Sequence, residues 1–301
     1  MRKNVFLFGA GASYGAGSIL PERPPLGLQL YPELARLFPG SWGALPSRVA
    51  SVLVKDFEKG MEALYAEFGS SIPQLMREMA IYFIEFRPVE NRSLYCKLVQ
   101  ELLRNGSLSR TVFSTINYDC VFEFSLLNHN QRISYFDAQC EKEVPVLKLH
   151  GSCNMFNTSI AVSQNVKYET GVSFSGDVKA ILDVNEVIET CLVSTGLAPV
   201  MCLYMREKPL SVSVDVILAI QEKWSKLIAE AETLAIVGAR PLNEDTHIWG
   251  PIAKSKARKF YVGGEECWAN WIKENNVKNT KYLGSKYCLA FHELCSLGGM
   301  K

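Results

Sequence analysis

A chain of 301 residues, 48% hydrophobic and 21% charged with a formal net charge of +1, has the make-up of an ordinary soluble globular protein able to bury a substantial core. The near-neutral balance argues against a broad nucleic-acid surface, no run of 18 apolar residues offers a membrane span, and no leader pattern precedes the first apolar segment, so a cytoplasmic address is expected. Nine scattered cysteines, none in a C-x-x-C pair, imply reduced and mostly buried thiols and argue against a four-cysteine zinc site.

The chain opens with Asn4-Val5-Phe6-Leu7-Phe8, a short apolar run that breaks into Gly9-Ala10-Gly11-Ala12-Ser13. This reads as a buried strand ending in a tight turn, the place where backbone amides can hold a pyrophosphate. The third glycine of a G-x-G-x-x-G pattern is out of register, because Tyr14 stands there and Gly15 and Gly17 follow. A Pro/Gly-rich loop spans Pro21 to Gly27, and a block of helical patterns occupies about 28–105. Within it, Ile72, Leu75, Met76, Met79 and Phe83 keep a 3.6-residue period, and Leu94, Leu98 and Leu102 repeat it before a stop at Asn105-Gly106.

Strand signals return at Arg110 to Thr115 and at Val144 to Leu149, whereas 152–204 is mixed. Asp215 to Glu232 reads as a helix with Ile217, Ile220, Trp224, Leu227, Ile228 and Ala231 on one face. Thr233 to Val237 and Lys259 to Val262 are strands that end at Gly238 and at Gly263-Gly264. Helices alternating with uniformly apolar strands predict a single α/β domain over 1–301. Its sheet is parallel and Rossmann-like with helices on both faces, and the helical block at 28–105 is an insertion after the first strand.

In such sheets ligands sit at the carboxyl ends of the strands. Four of these ends carry chemistry-bearing residues: Gly9–Ser13, Thr115–Asp119, Leu149–Ser152 and Gly238–Asp245. Asn117 can donate and accept while staying neutral, and His150 titrates near neutrality and can take a proton. Each has a plainer reading. Asn117 can be a turn residue, Asp119 and Ser13 can cap the helices that follow them, and His150 can be a satisfied loop histidine. His247, close to Asp245, reads as a surface or ribose-side residue more than as a second base, and His129 and His292 have nothing to recommend them.

The ordered segments GAGAS, TINYD, KLHGS and VGARPLNED resemble the sirtuin-like NAD-binding family, in particular a divergent bacterial branch that includes NAD-depleting effectors of anti-phage defence. The resemblance implies that Gly9, Ala10, Gly11, Ala12 and Ser13 cradle the pyrophosphate of NAD. It implies that Asn117 binds the nicotinamide ribose or the attacking water, that His150 followed by Gly151 is the general base, and that Asp119 braces the Asn117 loop. Gly238 and Asp245 would lie toward the adenosine half, with Gly263 at the next strand end. On this reading a valine at Gly11 would block NAD sterically.

The chain departs from the deacylating members of that family. It lacks their two C-x-x-C pairs, its loop after the glycine turn differs, and Arg240 replaces the serine of the late G-x-S segment. The resemblance therefore implies an NAD hydrolase that uses NAD as substrate and no metal. It would be controlled by self-assembly into a homo-oligomer or by a separately encoded ATPase partner. The alternatives are an NAD-dependent protein deacylase and a non-catalytic module that binds NAD or ADP-ribose.

Overall fold

The computed structural model describes residues 4–68, 72–135, 143–158, 177–193, 198–202 and 214–297. The chain begins with β1 (Asn4–Phe8), the short helix α1 (Ala10–Tyr14) and β2 (Gly17–Leu20). Four helices follow: α2 (Gly27–Leu37), α3 (Ser47–Lys55), α4 (Phe57–Phe68) and α5 (Ile72–Ile84). Then come β3 (Arg87–Ser93), α6 (Leu94–Arg104), β4 (Thr111–Thr115), α7 (Val121–Leu127), β5 (Arg132–Ser134) and β6 (Glu143–Lys148). Beyond β6 lie β7 (Met155–Asn157), β8 (Val178–Ala180), α8 (Val184–Val193) and α9 (Val214–Glu230). The chain closes with β9 (Thr233–Val237), α10 (Thr246–Lys254), β10 (Arg258–Val262), α11 (Glu265–Glu274), β11 (Thr280–Gly284) and α12 (Tyr287–Ser296).

Seven strands form one sheet in the order β11-β10-β9-β1-β4-β6-β5, and every adjacent pair is parallel. This is the α/β, Rossmann-like class expected from the sequence. From β1 the chain passes to β4, then to the edge strand β5, and steps back to β6 between them. It then returns to the other side of β1 as β9 and winds outward again through β10 and β11. The direction reverses between β1 and β9, which makes these two strands the switch point, the place where open α/β sheets carry their ligands.

The pleat explains why the strands are apolar throughout. Phe6 and Phe8 point to one face, packing with Phe113, Phe122 and Tyr95, whereas Val5 and Leu7 point to the other, with Leu147, Ile236 and Trp224. The helices α9, α10 and α11 supply Ile220, Ile248 and Trp268 to the second face. The first face is covered by α6, α7 and α12, and its core runs on without a break into α2–α5.

Most expected elements stand within a few residues of their predicted bounds. The exception in the block at 28–105, expected to be helical, is Arg87–Ser93, a strand pairing antiparallel with β2. Its residues, Arg-Pro-Val-Glu-Asn-Arg-Ser, carry no apolar alternation. Asn91 adopts a left-handed φ of 60°, and α6 begins only where the Ser93 hydroxyl accepts from Tyr95 N at 3.3 Å. The block is therefore mostly helical but includes one strand of a small sheet. Parts of the mixed stretch 152–204 lie outside the described residues. Among the described residues, no helix is long and apolar enough to cross a membrane.

Candidate functional site

The carboxyl ends of β1 and β9 meet backbone to backbone. Gly9 N donates to Val237 O at 3.0 Å, Gly11 N to Gly238 O at 2.9 Å and Ala12 N to Gly9 O at 2.8 Å. Gly238 has φ +64°, and a Cβ there would lie 2.0 Å from Ala12 N, so only glycine permits this approach. A Cβ on Gly11 would likewise meet Gly238 Cα and O at 3.0 Å. The glycine pattern at β1 thus has a cause inside the protein. Its third requirement is met not by the next glycine in sequence but by Gly238, on the strand across the switch point.

Ser13 turns its buried hydroxyl under this junction. It accepts from Asn117 Nδ2 at 3.0 Å, donates to Asp119 Oδ1 at 3.3 Å and lies 3.3 Å from the Tyr95 hydroxyl. Asn117 N in turn donates to Thr115 Oγ1 at 3.0 Å, which curls the chain at the end of β4. Asp119 Oδ1 also accepts from Val121 N at 3.1 Å, the first amide of α7. Asp119 therefore links the helix start to Ser13 from one position before the N-cap, which is Cys120. Burial pushes its carboxyl up to about 6, while Lys148 and the Val121 amide pull in the opposite direction.

His150 follows β6 in a turn wedged against residues 198–202. Gly151 has φ +74°, and a Cβ there would fall 2.0 Å from Val200 O, so the turn admits no other residue. Ser152 N donates to Val200 O and Cys202 N to His150 O, both at 2.8 Å. The His150 side chain is fully buried and Asp245 nearly so, with His150 Nε2 4.0 Å from Asp245 Oδ2. The His247 ring stands edge-on to His150 with centroids 5.5 Å apart. Asp245 precedes the first residue of α10 and His247 is its second, so both project from the helix start toward the turn after β6.

Donor atoms of His150, Asp245 and His247 lie within 4.8 Å of one another. Two ligands of a tetrahedral zinc stand about 3.4 Å apart, given bonds of about 2.0–2.1 Å. The 4.0 Å His150–Asp245 separation is wider than that. As it stands, the His150–Asp245 pair is too wide both for a direct hydrogen bond and for two ligands of one tetrahedral zinc, so either use requires the groups to close up.

Asn117, Ser13, Asp119, His150, Gly151, Gly238 and Asp245 thus come from four strand ends that the fold brings to one end of the sheet. Asp245 stands beside His150 rather than apart from it. Gly263 is one strand further out, where its amide donates to Gly284 O at 3.0 Å and its carbonyl accepts from the Tyr282 hydroxyl at 3.1 Å.

Two residues of this region do not stand out in the sequence. His247 reads there as a surface residue, although the Asp-x-His spacing at a helix start is an available signal. Glu58, in the first turn of α4, has no sequence signal at all. It reaches solvent, yet the protein around it and the charges of Asp245 and Asp56 lift its carboxyl to about 7, with Arg240 working against them. The helical block thereby contributes a titrating group to the electrostatics of the site.

No protein-family model and no curated protein matches the chain. Among solved structures, it is similar to a crystal structure of Sir2 in complex with the inhibitor EX-527, 2'-O-acetyl-ADP-ribose and a deacetylated p53 peptide. The identity is 13%, covering 100% of this chain and 95% of that one, with a TM-score of 0.46. A crystal structure of a Sir2 homolog–NAD complex is 15% identical over 98% of this chain and 88% of that one, with a TM-score of 0.42.

Proposed function

We propose that this chain hydrolyses NAD to nicotinamide and ADP-ribose. The observation that carries the reading is the placement, at the same end of the sheet and after the neighbouring strands β4 and β6, of a neutral amide (Asn117) and a histidine that has a carboxylate 4.0 Å away (His150 and Asp245). Cleaving the bond between nicotinamide and ribose builds positive charge on the sugar, and the incoming water must lose a proton. Fixed polar groups and one base meet both needs.

In this scheme the pyrophosphate lies over the junction of the β1 and β9 turns, whose shape Gly11 and Gly238 set by packing against each other. Ser13 holds the Asn117 carboxamide through Nδ2, which aims the amide oxygen at a ribose hydroxyl or the attacking water. His150 accepts the proton, and the Asp245 carboxylate stabilises the imidazolium that results. The scheme uses no metal. His150 is fully buried, so substrate reaches it only when the residues over it move. That burial is also what favours the second reading, a module that binds NAD or ADP-ribose without turning it over.

Control by self-assembly or by a separately encoded ATPase, and a role in anti-phage defence, belong to the same proposal. They rest on the motif resemblance alone. Incubating purified protein with NAD and separating the products tests the chemistry. Nicotinamide and ADP-ribose in equal amounts support it. Binding of NAD without either product favours the non-catalytic module, and an acylated peptide losing its acyl group to ADP-ribose favours a deacylase.

A further inference from the structure

Lys148 is one of the largest fully buried side chains of the protein and ends β6 two residues before His150. Its Nζ donates to the backbone carbonyl of Asp119 at 2.6 Å, two residues after Asn117. The same ammonium lies 2.9 Å from Glu123 Oε1 on α7, with 0% of the lysine side chain and 1% of the glutamate exposed. In the sheet Lys148 is directly opposite Thr115, the residue whose hydroxyl receives the Asn117 amide. The neighbouring contacts join the same two turns: Leu149 N to Thr115 O at 3.0 Å, Cys153 N to Tyr118 O at 3.1 Å and Ser152 Oγ to Tyr118 O at 3.3 Å.

We propose that Lys148, paired with Glu123, is a positioning residue that bolts the turn carrying His150 to the turn carrying Asn117. The naming of those two as reacting groups rests on the NAD-cleaving reading; the bolt itself does not. A strand needs no buried charge to hold its place. Two ions taken out of water are a poor source of stability, and well-packed apolar replacements often match or exceed them. A cation gives what an apolar side chain cannot: a strong directional bond to one chosen carbonyl, which fixes the relative height of two turns. Burial works against the charge on Lys148. Burial is the largest single effect, but the attraction of Glu123 and, after it, of Cys120 and Asp119 together exceeds it and holds the ammonium protonated above the usual lysine range. The bolt therefore persists across the working pH range.

The test replaces both charges at once with Lys148→Met plus Glu123→Leu, so that no unpaired ion is left buried. The chain has four histidines, which makes isotope-labelled histidine NMR tractable, with the His150 signal assigned by its loss in His150→Ala. The expected result is a folded protein whose His150 signal shifts and broadens while those of His129 and His292 stay in place. Turnover of NAD falls about tenfold or more in kcat, with KM changed less than about twofold. An unmoved His150 signal in the folded double variant overturns the positioning role, whatever the NAD assay shows. If the double variant does not fold, the near-isosteric Glu123→Gln is read the same way, a displaced signal supporting the bolt and an unmoved one refuting it. A wild-type protein that cleaves no NAD overturns the catalytic reading, while the NMR response of His150 still decides the role of Lys148.

Discussion

His150 Nε2 and Asp245 Oδ2 stand 4.0 Å apart although they come from the ends of β6 and β9, which are separated in the sheet by β4 and β1. The long loop 238–245 carries Asp245 across the switch point to reach the histidine. A carboxylate at this distance is beyond direct hydrogen bonding in the present arrangement but close enough to favour a positive imidazole. Asp245→Asn is therefore expected to lower kcat for NAD cleavage by roughly 10- to 100-fold with little change in KM. Steady-state kinetics of the purified variant decides it, and an unchanged kcat would remove Asp245 from the proton-transfer step.

Glu58 gives the site a pH dependence near neutrality. Its carboxyl titrates at about 7, so it is neutral below that pH and adds a negative charge beside Asp245 above it. An anionic pyrophosphate is repelled by that charge. KM for NAD is accordingly expected to rise as pH increases through 7, and Glu58→Gln to flatten the rise. Measuring KM from pH 6 to 8.5 in both proteins checks this. Parallel profiles would show that Glu58 does not sense the substrate.

Asp119 makes a separate prediction about stability. Its folded carboxyl titrates at about 6 against an ordinary 3.8, so the folded state holds the proton more tightly than the unfolded one. The contribution is full below about pH 4 and is lost as pH rises through 6, costing roughly 3 kcal/mol above that. Asp119→Asn keeps an acceptor for Val121 N and never ionises. Relative to wild type, the variant is expected to gain more in thermal midpoint at pH 8 than at pH 5. An equal difference at both pH values would mean that Asp119 is not desolvated as its surroundings imply.

Gly11 and Gly238 belong to one packed junction, and this alters the expectation for Gly11→Val. The new side chain would point at the Gly238 backbone, 3.0 Å from the first added carbon, rather than only at a ligand. Loss of stability is therefore expected together with loss of NAD binding, and Gly238→Ala is expected to cost more, several kcal/mol, through both φ +64° and the 2.0 Å contact with Ala12 N. Chemical denaturation of both variants measures it. A Gly11→Val protein of wild-type stability that fails only to bind NAD would restore the purely steric reading.

The central strands are legible in the sequence because they are covered on both faces. Thr233-Leu-Ala-Ile-Val237 and Asn4-Val-Phe-Leu-Phe8 have no polar side to confuse them with anything else. Arg87–Ser93 and Thr280–Gly284 lie at edges or in a small side sheet with mixed burial, and their residues carry no comparable pattern. The site divides in the same way. Asn117 and His150 are readable because each directly follows a strand, so the element alone places them. The closeness of Asp245 and His247 to His150 depends on how a loop crosses from β9 over the switch point, and the presence of Glu58 depends on how the helical block folds back. The first leaves only the Asp-x-His spacing at a helix start as a local trace, and the second leaves none.

The most direct measurement is product analysis of NAD incubated with wild-type protein and with His150→Ala, over a range of protein concentrations and alongside thermal melts of both. Nicotinamide and ADP-ribose from the wild type alone, with both proteins equally stable, is the predicted result. Equal turnover by a folded His150→Ala protein, or NAD bound by the wild type but left intact at every concentration, would contradict the account.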